Sequence, residues 1–427
     1  MRYDQEFTAE PPESLEHSGC PILVKGILES YDLEPSEMLV SLNKDPKRVY
    51  NTFIWKISLK TPALPICFEY TRPYTMKPPV DGVSSVVMRI FNPTATGLVQ
   101  ANRVQNEVAS MHLVREGLAK AGTGLEEIIP AVYAWEPEVK DEDNIANIGW
   151  ILMETKPGLP ASHNFWKRGN WGIETYMEQL AEILRLIQDI ELPSTVTKYG
   201  GLTIDEDGNI VTGKTAYFGG GPWTSYTDFW IVQLIGIRRR IDDLIQKLDE
   251  IFSQSVAVQW RKLIHGGIAM ENVLFDPVTR KITALLDFER ACVAHPSLEF
   301  ILSFRDFGGN IVANNIPFKS LEEDLIDQIV FDAFKIPIAR HKNTEVYGRT
   351  TRFWEQAMTW DKWLQAKRVT KPSRILGIRE IRLVAKITDS IWPKELEDEK
   401  LTPKQVHNIM SKARKRMVPA LRLLGIS

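Results

Sequence analysis

The sequence predicts an α+β chain: a small sheet with one helix against it, followed by a larger, mainly helical part. Three observations carry that prediction. From Val49 to Leu59 apolar residues recur at Tyr50, Phe53, Trp55, Ile57 and Leu59, ending in the two-residue period of a strand. From Asn102 to Leu118 they recur at Val104, Val108, Met111, Leu113 and Val114, the spacing of an amphipathic helix. Beyond Pro160 the periods turn helical. The chain has 427 residues, 44% apolar and 25% charged, which excludes a disordered or fibrous protein. That length suits two or three domains or lobes of roughly 100–200 residues each.

The elements follow in order. Residues 1–45 read as irregular, with a short helical piece marked by Ile22, Leu23, Ile27 and Leu28. Pro62, Pro65, Pro73, Pro78 and Pro79 make 60–82 a loop. Ser84 to Phe91 is a buried strand, and Ile129 to Trp135 and Ile148 to Met153 are further strands joined by the acidic turn at 140–144. Lys156 to Pro160 punctuates the end of this region. A helix spans Ile173 to Ile190, and Asp207-Gly208 carries the turn chemistry of a hairpin. Helices follow from Asp228 to Phe252 and near 319–336, 351–367, 375–391 and 404–424. The resulting organisation is an extension over 1–47, a small lobe over 48–155 and a large lobe over 156–427.

Composition removes several function classes. Lys+Arg number 52 against 55 Asp+Glu, a net charge of −3, so there is no electrostatic footprint for nucleic acid or an anionic membrane. Cys20, Cys67 and Cys292 lie far apart, forming neither a disulfide framework nor a zinc site, and fit a reducing compartment. The N-terminus lacks the apolar stretch of a signal peptide, and no segment reaches the roughly 18 apolar residues of a membrane span. The expectation is a cytoplasmic protein without nucleic-acid or membrane partners. Gly219 to Pro222 looks like a phosphate loop but lacks the following Lys-Ser/Thr, so it reads as a turn.

The most informative segment runs from Leu263 to Phe304. His265-Gly266-Gly267 opens a tight loop, Val273 to Phe275 is a short strand, and Ile282 to Leu286 returns antiparallel to it. A hairpin of that length brings Asn272 close to Asp287. One amide oxygen and one carboxylate form a hard-oxygen pair suited to Mg²⁺, which leaves its other positions to water and phosphate. The same two residue types also serve as turn caps.

At these residues the sequence resembles the aminoglycoside phosphotransferase/choline kinase family of small-molecule kinases, in its fungal branch. That family carries His-Gly-Asp, four residues, then Asn, followed by a hairpin and a second Asp. His265, Gly266 and Asn272 match at that spacing, and Leu286-Asp287-Phe288-Glu289 matches the second element. The match runs collinearly from about residue 48 to 305 and implies a two-lobed protein-kinase-like fold, with a catalytic-loop hairpin at 263–289. It implies further roles. Arg89 is the phosphate-binding cation, Glu107 on the lobe-bridging helix is its partner, and Met153 and Glu154 lie in the hinge beside the nucleotide. Asn272, Asp287 and Glu289 are the metal ligands, and His265 anchors the loop. The implied cofactors are ATP and Mg²⁺.

Two departures qualify that resemblance. The phosphate-covering turn, glycine-rich in the family, here reads Arg48-Val49-Tyr50, which denies the close backbone approach that glycine permits. Position 267, the family's base aspartate, is glycine, and Glu271 is only a weak substitute. General-base assistance contributes roughly 10²–10⁴ in rate. Three functions therefore stay open. One is a fold reused in secondary metabolism for a cyclisation or rearrangement of an apolar intermediate, which the missing base and turn slightly favour. The others are a small-molecule kinase with a non-standard base, and a non-catalytic binding protein. The 12 tryptophans bear on the choice. Trp166, Trp171, Trp354, Trp360 and Trp363 either wall an apolar acceptor pocket or pack helices together.

Overall fold

A computed structural model describes residues 6–8, 20–42, 51–93, 95, 102–138, 148–163, 172–216, 220–234, 261–313, 322–334, 344–391 and 403–424. The small lobe is built on β1 (Glu6–Thr8), α1 (Cys20–Glu29), β2 (Pro35–Leu42), β3 (Thr52–Ala63), β4 (Val83–Phe91), α2 (Arg103–Lys120), β5 (Val132–Glu136) and β6 (Trp150–Glu154). Its strands form one six-stranded antiparallel sheet in the order β1-β2-β3-β4-β6-β5.

Alternation along β4 decides what each face does. Val86, Met88 and Ile90 pack with Trp55 and Ile57 of β3 and with Val24, Ile27 and Leu28 of α1, forming one core. The intervening side chains, Arg89 and Phe91, point to the opposite face, because successive strand residues alternate. That face receives α2 through Val104, Val108 and Met111, which join the main core. Helix α1 therefore covers one side of the sheet and α2 the other. Within 1–45 the expected helical piece appears as α1, and the strands β1 and β2 were not expected. Strand β2 escapes notice because Pro35, Ser36, Glu37 and Ser41 dilute its apolar alternation.

The large lobe continues with β7 (Leu159–Pro160), α3 (Ile173–Gln188), the hairpin β8 (Gly201–Ile204) and β9 (Ile210–Gly213), and α4 (Tyr226–Leu234). Next come β10 (Lys262–Ile264), β11 (Val273–Asp276), β12 (Lys281–Leu285), β13 (Cys292–Ala294) and α5 (Ser297–Leu302). Helices α6 (Glu322–Phe331), α7 (Thr344–Ala366), α8 (Ile378–Ile391) and α9 (Pro403–Leu423) close the chain. No helix among the described residues is long and apolar enough to cross a membrane. The expected helix over 228–252 is described only to Leu234, and the turn at 140–144 and the Arg48-Val49-Tyr50 turn lie outside the described residues.

Helix α2 is fastened to the large lobe through the hairpin β8–β9. Asn102 Nδ2 donates to the carbonyls of Leu202 and Lys214, both at 2.8 Å, and Asn106 Oδ1 accepts from Leu202 N at 2.7 Å. From the other side, Tyr74 in the proline-rich excursion donates to Gly208 O at 2.5 Å and packs on His112 of α2. The helix that carries Glu107 is thus held from both lobes.

Of the two uses open to the tryptophans, helix packing holds for Trp354 and Trp360, which were also expected to line the substrate pocket. Trp354 and Trp360 are 0% and 2% exposed, in the main core. Trp354 Nε1 donates to Gln328 at 3.2 Å, and Trp360 packs against Phe304 and Phe307 at centroid distances of 5.0 and 5.1 Å. Large aromatics gain most from full removal from water, at about 25 cal/mol per Å² of apolar area, so Trp354 cements α7 to α6 and Trp360 cements it to the loop after α5, and neither lines a pocket. Trp363 is partly buried at the edge of the same core, with Lys362 and Lys367 over its ring. Trp166 and Trp171 lie outside the described residues.

Candidate active site

The loop after β10 is set by its backbone. Gly266 has φ +71, and a Cβ there would stand 2.8 Å from Arg290 O, so only glycine fits. Gly267 is under no such constraint: a Cβ there meets nothing closer than His265 Nδ1 at 3.7 Å and Asn272 Nδ2 at 3.8 Å. The second glycine is a chemical choice, not a steric one.

A buried carboxylate organises this loop from beneath. Glu299 on α5 accepts from His265 N at 2.8 Å and Gly266 N at 3.1 Å, and Ser303 donates to it at 2.6 Å. Ser303 Oγ in turn accepts from Ile268 N at 2.9 Å, and Asp306 accepts from Met270 N at 2.9 Å. Burial pushes the Glu299 pKa up, against the pull of those donors. His265 is 1% exposed, and its Nε2 donates to Leu286 O at 3.1 Å, tying the loop to the end of β12. Burial pulls its pKa down to about 4. The ring is therefore neutral at pH 7, with its proton on Nε2 because a carbonyl can only accept.

Asn272 and Asp287 come together as the hairpin geometry requires. Leu286 N donates to Asn272 O at 2.8 Å, and Asn272 Nδ2 lies 2.9 Å from Gly267 O and 3.4 Å from Asp287 Oδ2. With its amide nitrogen so engaged, the Asn272 side-chain oxygen is left as an acceptor beside a carboxylate. That donor set fits a hard divalent cation. Asp287 has φ +67, and its carboxylate is 41% exposed.

Arg89 joins the two lobes at this point. Its guanidinium lies 2.9 Å from Glu107 Oε1, 3.0 Å from Asp287 Oδ1 and 3.9 Å from Glu289 Oε2. Burial works against its charge, but the three carboxylates more than offset that and raise its pKa. Burial pushes the Glu107 pKa up, and the Arg89 guanidinium 2.9 Å away opposes that rise and favours the carboxylate. For Asp287 burial acts upward too, but Arg89 outweighs it and holds the carboxyl below its usual range.

Glu289, expected among the metal ligands, is paired with a buried arginine. It is 5% exposed, and Arg103, itself 0% exposed, contacts its Oε1 through both Nε (2.8 Å) and Nη2. Thr52 donates to its Oε2 at 3.3 Å. Arg103 thus takes up Oε1, while Oε2, among the described residues, keeps only the contact to Thr52 and lies 3.9 Å from Arg89. Arg103 also donates to Asn92 O and Asn51 O, and Asn106 to Ala291 O. Sequence reasoning missed Arg103, Asn106, Glu299 and Asp306. The available signal was Arg103, Asn106 and Glu107 at i, i+3 and i+4, polar residues on one face of a helix.

Among the remaining candidates, Met153 is buried and pairs with Val87 and Val132 in the sheet. Glu154 accepts from Ala131 N at 3.0 Å and Lys156 Nζ at 2.8 Å where β6 leaves the small lobe. Burial first, then the nearby Asp306 charge, pushes Glu271 up to about 7. No cluster of three or more His, Cys, Asp or Glu side chains able to hold a metal occurs among the described residues.

A family model described as the phosphotransferase enzyme family, APH, matches residues 80–316, from β4 through the catalytic-loop hairpin and past α5. The chain belongs to this phosphotransferase family. Its fold is accordingly the two-lobed, kinase-like α+β fold of that family. The curated protein "altered inheritance of mitochondria protein 9, mitochondrial" of Yarrowia lipolytica is 30% identical over 131 residues, which are 30% of this chain. The match spans about a fifth (21%) of that relative's length. Similar solved structures include a microcompartment-associated aminopropanol kinase (13% identity, 95% and 98% of the two chains, TM-score 0.44). An ADP-bound aminoglycoside phosphotransferase (10%, 95% and 99%, 0.42) and a Plasmodium vivax ethanolamine kinase (11%, 89% and 83%, 0.39) are similar as well.

His295, 1% exposed, has its pKa pulled down to about 4 by burial. The unfolded chain takes up the proton first as pH falls, near 6.5, so stability is intact above that pH and lost from there down to 4. The His295→Gln variant should therefore lose less stability than wild type between pH 6.5 and 4, read by urea midpoints at each pH.

Proposed function

We propose that this phosphotransferase-family chain transfers the terminal phosphoryl group of Mg·ATP to a hydroxyl of a small molecule, without a carboxylate at position 267. The observation that supports it is the chain of charges from Glu107 through Arg89 to Asp287, with Asn272 beside it. Phosphoryl transfer relies on positioning and charge stabilisation more than on proton removal. The bound metal would neutralise phosphate charge, held by Asn272 and Asp287. Arg89 is kept charged and aimed by Glu107, and exchanges its bond to Asp287 for one to phosphate. Met153 and Glu154, at the junction of the lobes, flank the nucleotide. His265 and Glu299 fix the loop that holds the acceptor. The proposed setting is the cytoplasm.

A second function draws on Gly267: with no carboxylate there, the cleft suits a base-free cyclisation or rearrangement of an apolar biosynthetic intermediate, which needs shape and desolvation. Calorimetry with Mg·ATP on wild type and Asp287→Ala separates the two. Micromolar binding by wild type, weakened at least tenfold in the variant and accompanied by turnover on hydroxylated acceptors, is expected. No binding to wild type would sink the phosphotransferase assignment and leave the base-free reaction or a non-catalytic binding role.

A further inference from the structure

Asn106 is a buried polar residue that the proposed transfer does not use. It is 0% exposed and stands next to Glu107 on α2. Its Oδ1 accepts from Leu202 N at 2.7 Å, and its Nδ2 donates to Ala291 O at 2.9 Å, with Glu289 O at 3.4 Å. A donor on one side and acceptors on the other demand an amide: leucine offers neither function and aspartate only acceptors. All three partners are backbone of the large lobe. Glycine at 201 lets the hairpin come this close, since a Cβ there would stand 2.8 Å from Asn106 Oδ1. Ala291 is tied in turn to Asp287. Its N donates to Phe288 O at 2.9 Å, closing the single turn that follows Asp287. One turn earlier on α2, Arg103 grips that same segment through Glu289 Oε1 at 2.8 Å. Its long side chain can follow a shift of the helix; the short Asn106 amide cannot.

We propose that Asn106 is a positioning residue, which sets the gap between Glu107 and Asp287 that Arg89 bridges. The guanidinium spans the two carboxylates at 2.9 and 3.0 Å, so the span leaves little slack. Glu107 moves with α2, and Asp287 moves with the turn that ends at Ala291. The Asn106 amide joins these two directly, and its bond to Leu202 stops the helix from sliding along the turn. Without the amide, α2 and the turn separate and Arg89 keeps only one of its two partners. A displacement of about 1 Å can cost 10²-fold in a reaction that depends on positioning. The inference rests on the phosphotransferase assignment for its consequence in transfer, and not for its geometry.

The first test compares crystal structures of the full chain without nucleotide. In Asn106→Ala the distance from Arg89 Nη2 to Asp287 Oδ1 should open from 3.0 Å to beyond about 4 Å, the limit of an ion pair, while Nη1 stays on Glu107. Asn106→Asp keeps an acceptor for Leu202 N and loses the donor to Ala291 O, so it should open the same contact. An unchanged contact in the folded variants, or failure of both to fold, overturns the proposal. Mg·ATP affinity gives a second readout that a merely structural role would not move. Asn106→Ala should weaken binding about 10- to 100-fold when Arg89 is present. In an Arg89→Lys background, where a single ammonium does not span two carboxylates, the same substitution should cost about twofold or less. Equal losses in the two backgrounds overturn the proposal. Absence of binding by wild type sinks the phosphotransferase assignment alone, and the crystallographic comparison then decides the role of Asn106 by itself.

Discussion

Gly267→Asp should raise Mg·ATP turnover by about 10²- to 10⁴-fold over wild type, the usual worth of a positioned general base. Three features of the site make this gain accessible. Backbone at 267 lies outside the left-handed region, in contrast to Gly266 at φ +71, so an L-residue adopts it without strain. An added Cβ lands in ordinary van der Waals contact with His265 and Asn272 and displaces neither. The groups we propose for transfer stand together, with Arg89 between Glu107 and Asp287 and with Asn272 adjacent. Phosphate release is the readout, with Gly267→Asn as the isosteric control that restores volume but no base. A folded, nucleotide-binding aspartate variant with no gain would show that another part of the machinery is broken. The Arg48-Val49-Tyr50 segment that replaces the family's glycine turn would then be the first suspect.

The fold was readable because its strongest signals are local. The alternation of β3, the helical spacing of α2 and α3, and the Asp-Gly turn at 207–208 each appear as expected. Strand β2 was not, since its eight residues include a proline, two serines and a glutamate, and its place is secured by pairing with β3. For the site, the motif residues His265, Asn272 and Asp287 could be placed by spacing and resemblance. What spacing cannot show is which charge neutralises which. Glu289 sits one residue beyond Phe288 and matches a family pattern, yet Arg103, 186 positions away, claims it. Nor can sequence tell a tryptophan in a core from one on a wall, because both uses employ the same ring; only the packing of Trp360 against Phe304 and Phe307 decides it.

Arg103→Ala should destabilise the protein by about 3–5 kcal/mol, the usual cost of leaving one partner of a buried ion pair alone. Arg103 is 0% exposed and serves Glu289, Asn92 O and Asn51 O at once, so its loss leaves Glu289 Oε1 without its guanidinium and takes one donor from each carbonyl, which keep Ala95 N and Asn92 N. The effect reaches the site as well. Glu289 Oε2 already stands 3.9 Å from Arg89, and a Glu289 freed of Arg103 competes with Asp287 for that guanidinium. Mg·ATP affinity should therefore change together with the urea midpoint. The double variant Arg103→Met/Glu289→Leu removes both charges and keeps the volume. It should recover to within about 1–2 kcal/mol of wild type, since replacing a whole buried pair with apolar groups is often near neutral. A double variant as unstable as Arg103→Ala would place the cost in the lost bonds to Asn51 O and Asn92 O and not in the charge of Glu289. Nucleotide affinity separates the cases a second time. If Glu289 competition is the cause, the double variant binds Mg·ATP like wild type; if the damage lies in the displaced β3 and β4 backbone, it does not.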